Sequence, residues 1–214
     1  MKKILLLGDS IELGYQGYIK EVFKDIAEVS AAGGNCQFSL YLLRWINIWK
    51  KEEGWADDMD LIHWNVGLWD VLRIFGDDTH TPVEIYGNTL RRIYQRLKIL
   101  FPKAKQIFAT STAVMEEDYD FPYQRYNADI EKFNQVAVET LAPLGVVIND
   151  LYAITKNAPK SCRSDMTHYY TANGIKLVGG KVAQTIGDVL GIALEDRKNV
   201  DAVVPQLSKE LVRN

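Results

Sequence analysis

The sequence predicts an α/β fold, a three-layer α/β/α sandwich around a mostly parallel five-stranded sheet. Three observations predict it. Short apolar runs alternate with longer segments of helical period along most of the chain. The apolar runs are continuous rather than alternating, the pattern of strands covered by helices on both faces. Polar and glycine-bearing clusters follow the runs, at the carboxyl ends of the strands, where sites gather in such sheets.

Lys3 to Leu7 is the first buried strand, closed by Gly8-Asp9. Tyr18 to Ile26 places Ile19, Val22, Phe23 and Ile26 at helical spacing, Ala27 to Ser30 is a short strand, and Ala32-Gly33-Gly34-Asn35 is a turn. Phe38 to Lys51 returns to helical period, with Leu42, Trp45, Ile46 and Trp49 on one stripe, and the two tryptophans read as core or groove wall. Asp60 to Val66 is the next buried strand, ending at Gly67. Pro82 to Phe101 is a long helix with Ile85, Leu90, Ile93, Leu97 and Leu100 inward, stopped by Pro102. Gln106 to Ala109 is a strand, Asn127 to Leu141 a helix, and Gly145 to Ile148 the fifth strand. A last helix runs to Leu190 with Thr171 as its N-cap.

The 214 residues carry no linker or composition shift, which predicts one domain over 1–214, with a core of about 3–190 and a carboxyl-terminal extension over 191–214. The net charge of -3 is small and the basic residues are scattered, so no nucleic-acid partner is expected. Two cysteines, Cys36 and Cys162, allow one bridge or two reduced thiols, the second being the plainer reading. No Cys-x-x-Cys or histidine cluster points to a metal, and no motif points to a cofactor. The apolar run after Met1-Lys2-Lys3 is too short for a signal peptide, and no stretch of about 20 apolar residues occurs; the expectation is a cytoplasmic protein without a membrane partner.

Two short motifs carry chemistry. Gly8-Asp9-Ser10-Ile11 sets a serine just past a buried strand, where substrate can reach its hydroxyl; that hydroxyl needs a base to become a nucleophile. Asp165-Met166-Thr167-His168, before the last helix, offers His168 as the base and Asp165 as the acid that orients it. The alternation of strands and helices brings Ser10, Asn35, Gly67 to Asp70, Thr110 to Thr112 and Asn149-Asp150 to one rim, with His168 at the same edge. His63, inside an apolar strand, reads as a satisfied core histidine, and His80 as a solvated one.

These blocks resemble the SGNH hydrolase superfamily, the GDSL-type esterases and lipases, from Lys3 to about Leu190. The resemblance implies a flavodoxin-like sandwich, with Ser10 as nucleophile, His168 as base and Asp165 as its partner. The backbone N–H of Ser10 is then one oxyanion donor. The middle blocks depart from the family pattern. Gly67-Leu68-Trp69-Asp70 aligns with Gly-x-Asn-Asp and places Trp69 where the donor asparagine is expected. The second block falls in Gly33-Gly34-Asn35-Cys36, and an alignment on Ser39 puts Cys36 at the usual glycine. Candidate oxyanion donors are therefore Ser10, Asn35 (the first choice), Cys36, Asn65 and Trp69, and candidate substrate contacts are Asp9, Gly67, Asp70 and Tyr169.

The acidic run Met115 to Asp120 reads as a solvated loop, and Phe121, Pro122, Tyr123, Arg125 and Tyr126 as a pocket wall. With Trp69 and Tyr169-Tyr170 they form an aromatic rim suited to stacking on sugar rings. The expected activity is a serine ester hydrolase acting through an acyl-enzyme on small acyl esters, acetyl first, with a small-molecule or carbohydrate ester as substrate. The alternatives are an acyltransferase or thioesterase with the same residues, and a non-catalytic glycan-binding module with a degenerate oxyanion hole. The tail beginning Glu195, Asp196, Arg197 and Lys198, and continuing through Val203, Val204 and Leu207, reads as a terminal helix or a partner contact.

Overall fold

The structure is a computed structural model that describes residues 1–194 and 198–213. Five parallel strands form the central sheet: β1 (Lys2–Leu7), β2 (Ala27–Ala31), β3 (Leu61–Trp64), β5 (Lys105–Ala109) and β7 (Val147–Asn149), in the order β2-β1-β3-β5-β7. Ile4 to Leu7 are inaccessible to solvent, as a continuous apolar run between two helical layers requires. Helices α1 (Ser10–Phe23), α6 (Ala172–Leu190) and α7 (Lys198–Arg213) pack together on one face, with the short α5 (Leu151–Thr155) against α6. Helices α2 (Ser39–Glu52), α3 (Val83–Leu100) and α4 (Asn127–Leu141) line the other. Among the described residues no helix is long and apolar enough to cross a membrane.

The chain leaves β1 toward β2 and returns across β1 to β3, so the connections diverge between β1 and β3. That divergence opens a crevice at the carboxyl ends of these two strands. Ser10 follows β1 and Gly67 to Asp70 follow β3, so both predicted motifs of the amino-terminal half border the crevice.

Several boundaries differ from the sequence reading for identifiable reasons. Helix α1 begins at Ser10 rather than Tyr18, because Asp9 caps it: the Asp9 carboxylate accepts the Ile11 N–H at 3.0 Å. In α3, Ile85 is exposed and Tyr86 takes the inward place, its hydroxyl donating to the Val66 carbonyl at 2.7 Å. A two-residue antiparallel ladder, β4 (Arg73–Ile74) with β6 (Tyr123–Gln124), is too short to leave a periodic signal. Thr171 caps α6 as expected, accepting the Gly174 N–H at 3.1 Å. Helix α7 covers 198–213, with Val204 buried and Leu207 against Gly17 of α1; Glu195, Asp196 and Arg197 lie outside the described residues.

Candidate active site

Ser10 is the first residue of α1, so its side chain stands at the crevice and its backbone N–H belongs to the unsatisfied, positively polarised end of the helix. Asp9 is wholly buried beneath it. One Asp9 carboxylate oxygen accepts the Ile11 N–H at 3.0 Å and the Asn65 amide at 2.9 Å, while the other has no partner. Burial pushes the Asp9 carboxyl up, opposed by those two donors and by the charges of His168 and Arg125.

The Asp165–His168 loop is wound on its own acid. Asp165 Oδ1 accepts the backbone N–H of Thr167 at 2.7 Å and of His168 at 2.8 Å, and the two carboxylate oxygens lie 3.0 and 2.9 Å from His168 Nδ1. Partial burial alone would raise the Asp165 carboxyl; the donors from His168 and Thr167 outweigh it and hold the group well below the usual carboxylate range. An ionised Asp165 accepts a hydrogen bond from Nδ1–H, which keeps the proton on Nδ1 and leaves Nε2 as the acceptor. Nε2 lies 2.8 Å from Ser10 Oγ, across a sequence separation of 158 residues. The hydroxyl, the imidazole and the carboxylate thus form one hydrogen-bonded line. In it the serine proton can pass to Nε2 while Asp165 stabilises the imidazolium that results.

The remaining candidates are distributed unevenly about this line. The Asn65 amide donates to Asp9, and the Asn65 carbonyl accepts from the Tyr15 hydroxyl at 3.4 Å, so the side chain is held in the interior. The Cys36 N–H donates to the Gly8 carbonyl at 2.8 Å, and burial pushes its thiol far up. Asn35 is partly exposed, and its side-chain carbonyl accepts the Gln37 N–H at 2.7 Å. That contact fixes the amide plane and leaves the Asn35 NH₂ without a hydrogen-bond partner among the described residues. The Trp69 indole is likewise partly exposed and unbonded among them.

Gly67 has φ of +150°, and a Cβ there would lie 2.3 Å from Ser111 Oγ, so glycine is required for the turn that presents Trp69. Asp70 is buried and accepts the Ser39 N–H at 3.0 Å and the Ser39 hydroxyl at 2.6 Å, tying the start of α2 to the loop after β3. Tyr169 turns inward: it is 3% exposed, donates to the Ala113 carbonyl at 2.8 Å and is covered by the Arg163 guanidinium. The ring beside the Ser10–His168–Asp165 line is that of Tyr170 instead.

Two further features escape the sequence reading. Glu12 stands three residues after the cap Asp9, the spacing of a capping box, yet it is buried and, among the described residues, hydrogen-bonds only to the Gln16 amide, at 3.3 and 3.4 Å. Burial pushes its carboxyl up to about 8. His63, a core histidine as expected, joins a polar chain: Asn149 Nδ2 lies 3.2 Å from Nε2, and Nδ1 lies 3.3 Å from the Tyr15 hydroxyl. Among the described residues no cluster of three or more His, Cys, Asp or Glu side chains is arranged to hold a metal ion.

No protein-family profile matches the sequence, and no curated protein does either. Solved structures match the fold. A lipase/acylhydrolase from Enterococcus faecalis aligns with a TM-score of 0.70 at 19% identity, over 92% of this chain and 100% of that one. An acetyl xylan esterase aligns with a TM-score of 0.65 at 19% identity, over 86% and 99%. A GDSL-like lipase from Bacteroides thetaiotaomicron aligns with a TM-score of 0.64 at 15% identity, over 87% and 88%. With the strand order and the placement of Ser10, these likenesses make the fold that of the SGNH, or GDSL-type, hydrolases.

Proposed function

We propose that the protein is a serine ester hydrolase that works through an acyl-enzyme. The observation that carries this reading is the 2.8 Å approach of Ser10 Oγ to His168 Nε2, with Asp165 on the far side of the ring. Ser10 attacks the ester carbonyl as His168 takes its proton. His168 returns the proton to the leaving alcohol, and water activated by the same histidine releases the acid. The oxyanion is met by the Ser10 N–H at the start of α1, with the Asn35 amide and the Trp69 indole as the side-chain donors not engaged elsewhere. Asn65 and Cys36 are less suited, since their N–H groups already serve Asp9 and Gly8.

A small acyl group, acetyl above all, on a carbohydrate or other small alcohol is the proposed substrate class. The likeness of fold to an acetyl xylan esterase and the partly exposed Trp69 on the loop after β3 support that choice. The test is labelling by a fluorophosphonate probe together with hydrolysis of short-chain nitrophenyl esters. Wild-type protein should be labelled at Ser10, and Ser10→Ala should lose both labelling and hydrolysis. Full activity in Ser10→Ala, or an unlabelled wild-type serine, would sink the proposal, and the second result would favour a binding module.

A further inference from the structure

We infer that Tyr170 is a positioning residue that holds nucleophile and base together and favours the imidazolium form of His168. The inference deepens the hydrolase reading above and rests on it for its catalytic meaning. The Tyr170 ring lies against the His168 ring with centroids 4.6 Å apart and planes inclined by 29°. The same side chain donates its hydroxyl to the backbone carbonyl of Ser10 at 2.7 Å. One residue therefore touches both members of a pair that the sequence separates by 158 positions.

Its place is built by two helices. Gly14, one turn along α1 from Ser10, leaves a hollow for the ring: a Cβ there would stand 2.7 Å from Tyr170 Cε1. From the other side, Ser208 of α7 donates its hydroxyl to the Tyr170 carbonyl at 2.7 Å. The C-terminal helix is thereby connected to the catalytic line through a single side chain. The hydroxyl stays protonated, because burial and then the charges of Asp9 and Asp165 push it up, so it remains a donor to Ser10.

A roughly parallel stack puts the imidazole over the negative face of the phenol, and a cation there is attracted by the ring quadrupole. The attraction exists only once His168 has accepted the serine proton, so it favours the state formed on the way to the acyl-enzyme. The other groups facing His168 are Ser10 on α1, Asp9 at the preceding turn and Asp165 on its own loop. Substituting Tyr170 changes none of them chemically.

The test is an NMR titration of the His168 ring proton in wild type, Tyr170→Leu, Tyr170→Phe and Gly14→Ala, with kcat and KM measured beside it. Removing the stack disfavours the imidazolium, so in Tyr170→Leu the titration midpoint should move to lower pH by about half a unit. The acid limb of kcat/KM should follow it. Tyr170→Phe keeps the ring and should keep the midpoint, while losing the bond to Ser10. Gly14→Ala keeps the tyrosine but displaces its ring, and should shift the midpoint in the same direction as Tyr170→Leu.

In Tyr170→Leu, kcat should fall about threefold or more with KM little changed, matching the loss of a cation–aromatic contact formed as the proton moves. An unmoved midpoint in folded Tyr170→Leu, or an equal shift in Tyr170→Phe, would overturn the inference. Because the titration needs no turnover, it reads Tyr170 even if the fluorophosphonate and Ser10→Ala experiments reject the hydrolase.

Discussion

At the scale of single residues, the Ser10–His168–Asp165 line and the proposed oxyanion donors are under different degrees of constraint. Asp165 accepts two backbone N–H groups of its own loop, the His168 Nδ1–H and, at 3.4 Å, the Ser164 hydroxyl, so its depressed carboxyl both winds the loop and aims His168. Its contribution to stability is complete above the unfolded carboxylate range, near about pH 4, and is lost as the pH falls below it. The oxyanion side has no comparable scaffold. Asn35 is fixed through its carbonyl by Gln37, which orients the NH₂, whereas the partly exposed Trp69 indole has no hydrogen-bond partner among the described residues. Asn35→Ala is therefore expected to lower kcat about a hundredfold, in the range for loss of one oxyanion donor. Trp69→Phe, which keeps a ring and drops the N–H, should cost less than about tenfold. Steady-state kinetics on a nitrophenyl ester decides between them, and the reverse order would assign the donor to the indole.

At the scale of elements, Asp70 is the joint between the loop after β3 and the first turn of α2. Burial pushes its carboxyl up to about 6, against the donors Ser39 and Thr81. A folded value above the unfolded one means the folded state holds its proton more tightly. The resulting stabilisation is fully present below about pH 4 and is lost as the pH rises through about 6. A displacement of two units corresponds to on the order of 3 kcal/mol. In urea unfolding, Asp70→Asn should remove that much of the stability difference between pH 4 and pH 7.5; an unchanged difference would show that Asp70 titrates normally. This joint was not legible in the sequence, where Asp70 reads as a rim residue, because burial of a short acid depends on α2 arriving from 31 residues upstream. The strands and long helices were legible, since continuous runs such as Ile4 to Leu7 and the stripe Leu90, Ile93 and Leu97 follow from burial in layers. The start of α1 was missed because Gly14 and Gly17, inside the helix, make room for Tyr170 and Leu207, contacts no local pattern announces.

At the scale of the whole molecule, a buried polar chain crosses the core from α6 to the turn beneath Ser10. Asn149 Nδ2 donates to His63 Nε2, so His63 Nδ1 carries the proton and donates to the Tyr15 oxygen, whose hydroxyl donates to Asn65, which donates to Asp9. Thr185 of α6 closes the far end on the Asn149 carbonyl at 3.1 Å. Every donor points the same way, toward the carboxylate, and each group lacks access to water, so the chain is satisfied only as a unit. Burial lowers His63 to about 3, which keeps the ring neutral and the donor sense fixed at neutral pH. Below the unfolded histidine value of about 6.5 the unfolded chain binds a proton that the folded one refuses, and stability is lost progressively toward about pH 3. His63→Phe should therefore destabilise the protein at pH 7 by a few kcal/mol, because it strands the Tyr15 hydroxyl and the Asn149 amide. The same substitution removes the acid penalty, which by pH 4 amounts to roughly 3 kcal/mol. Urea unfolding at both pH values should accordingly show a wide gap between wild type and variant at pH 7 that closes at pH 4. A gap that stays constant would mean that His63 protonates in the folded core and that the chain does not hold its direction.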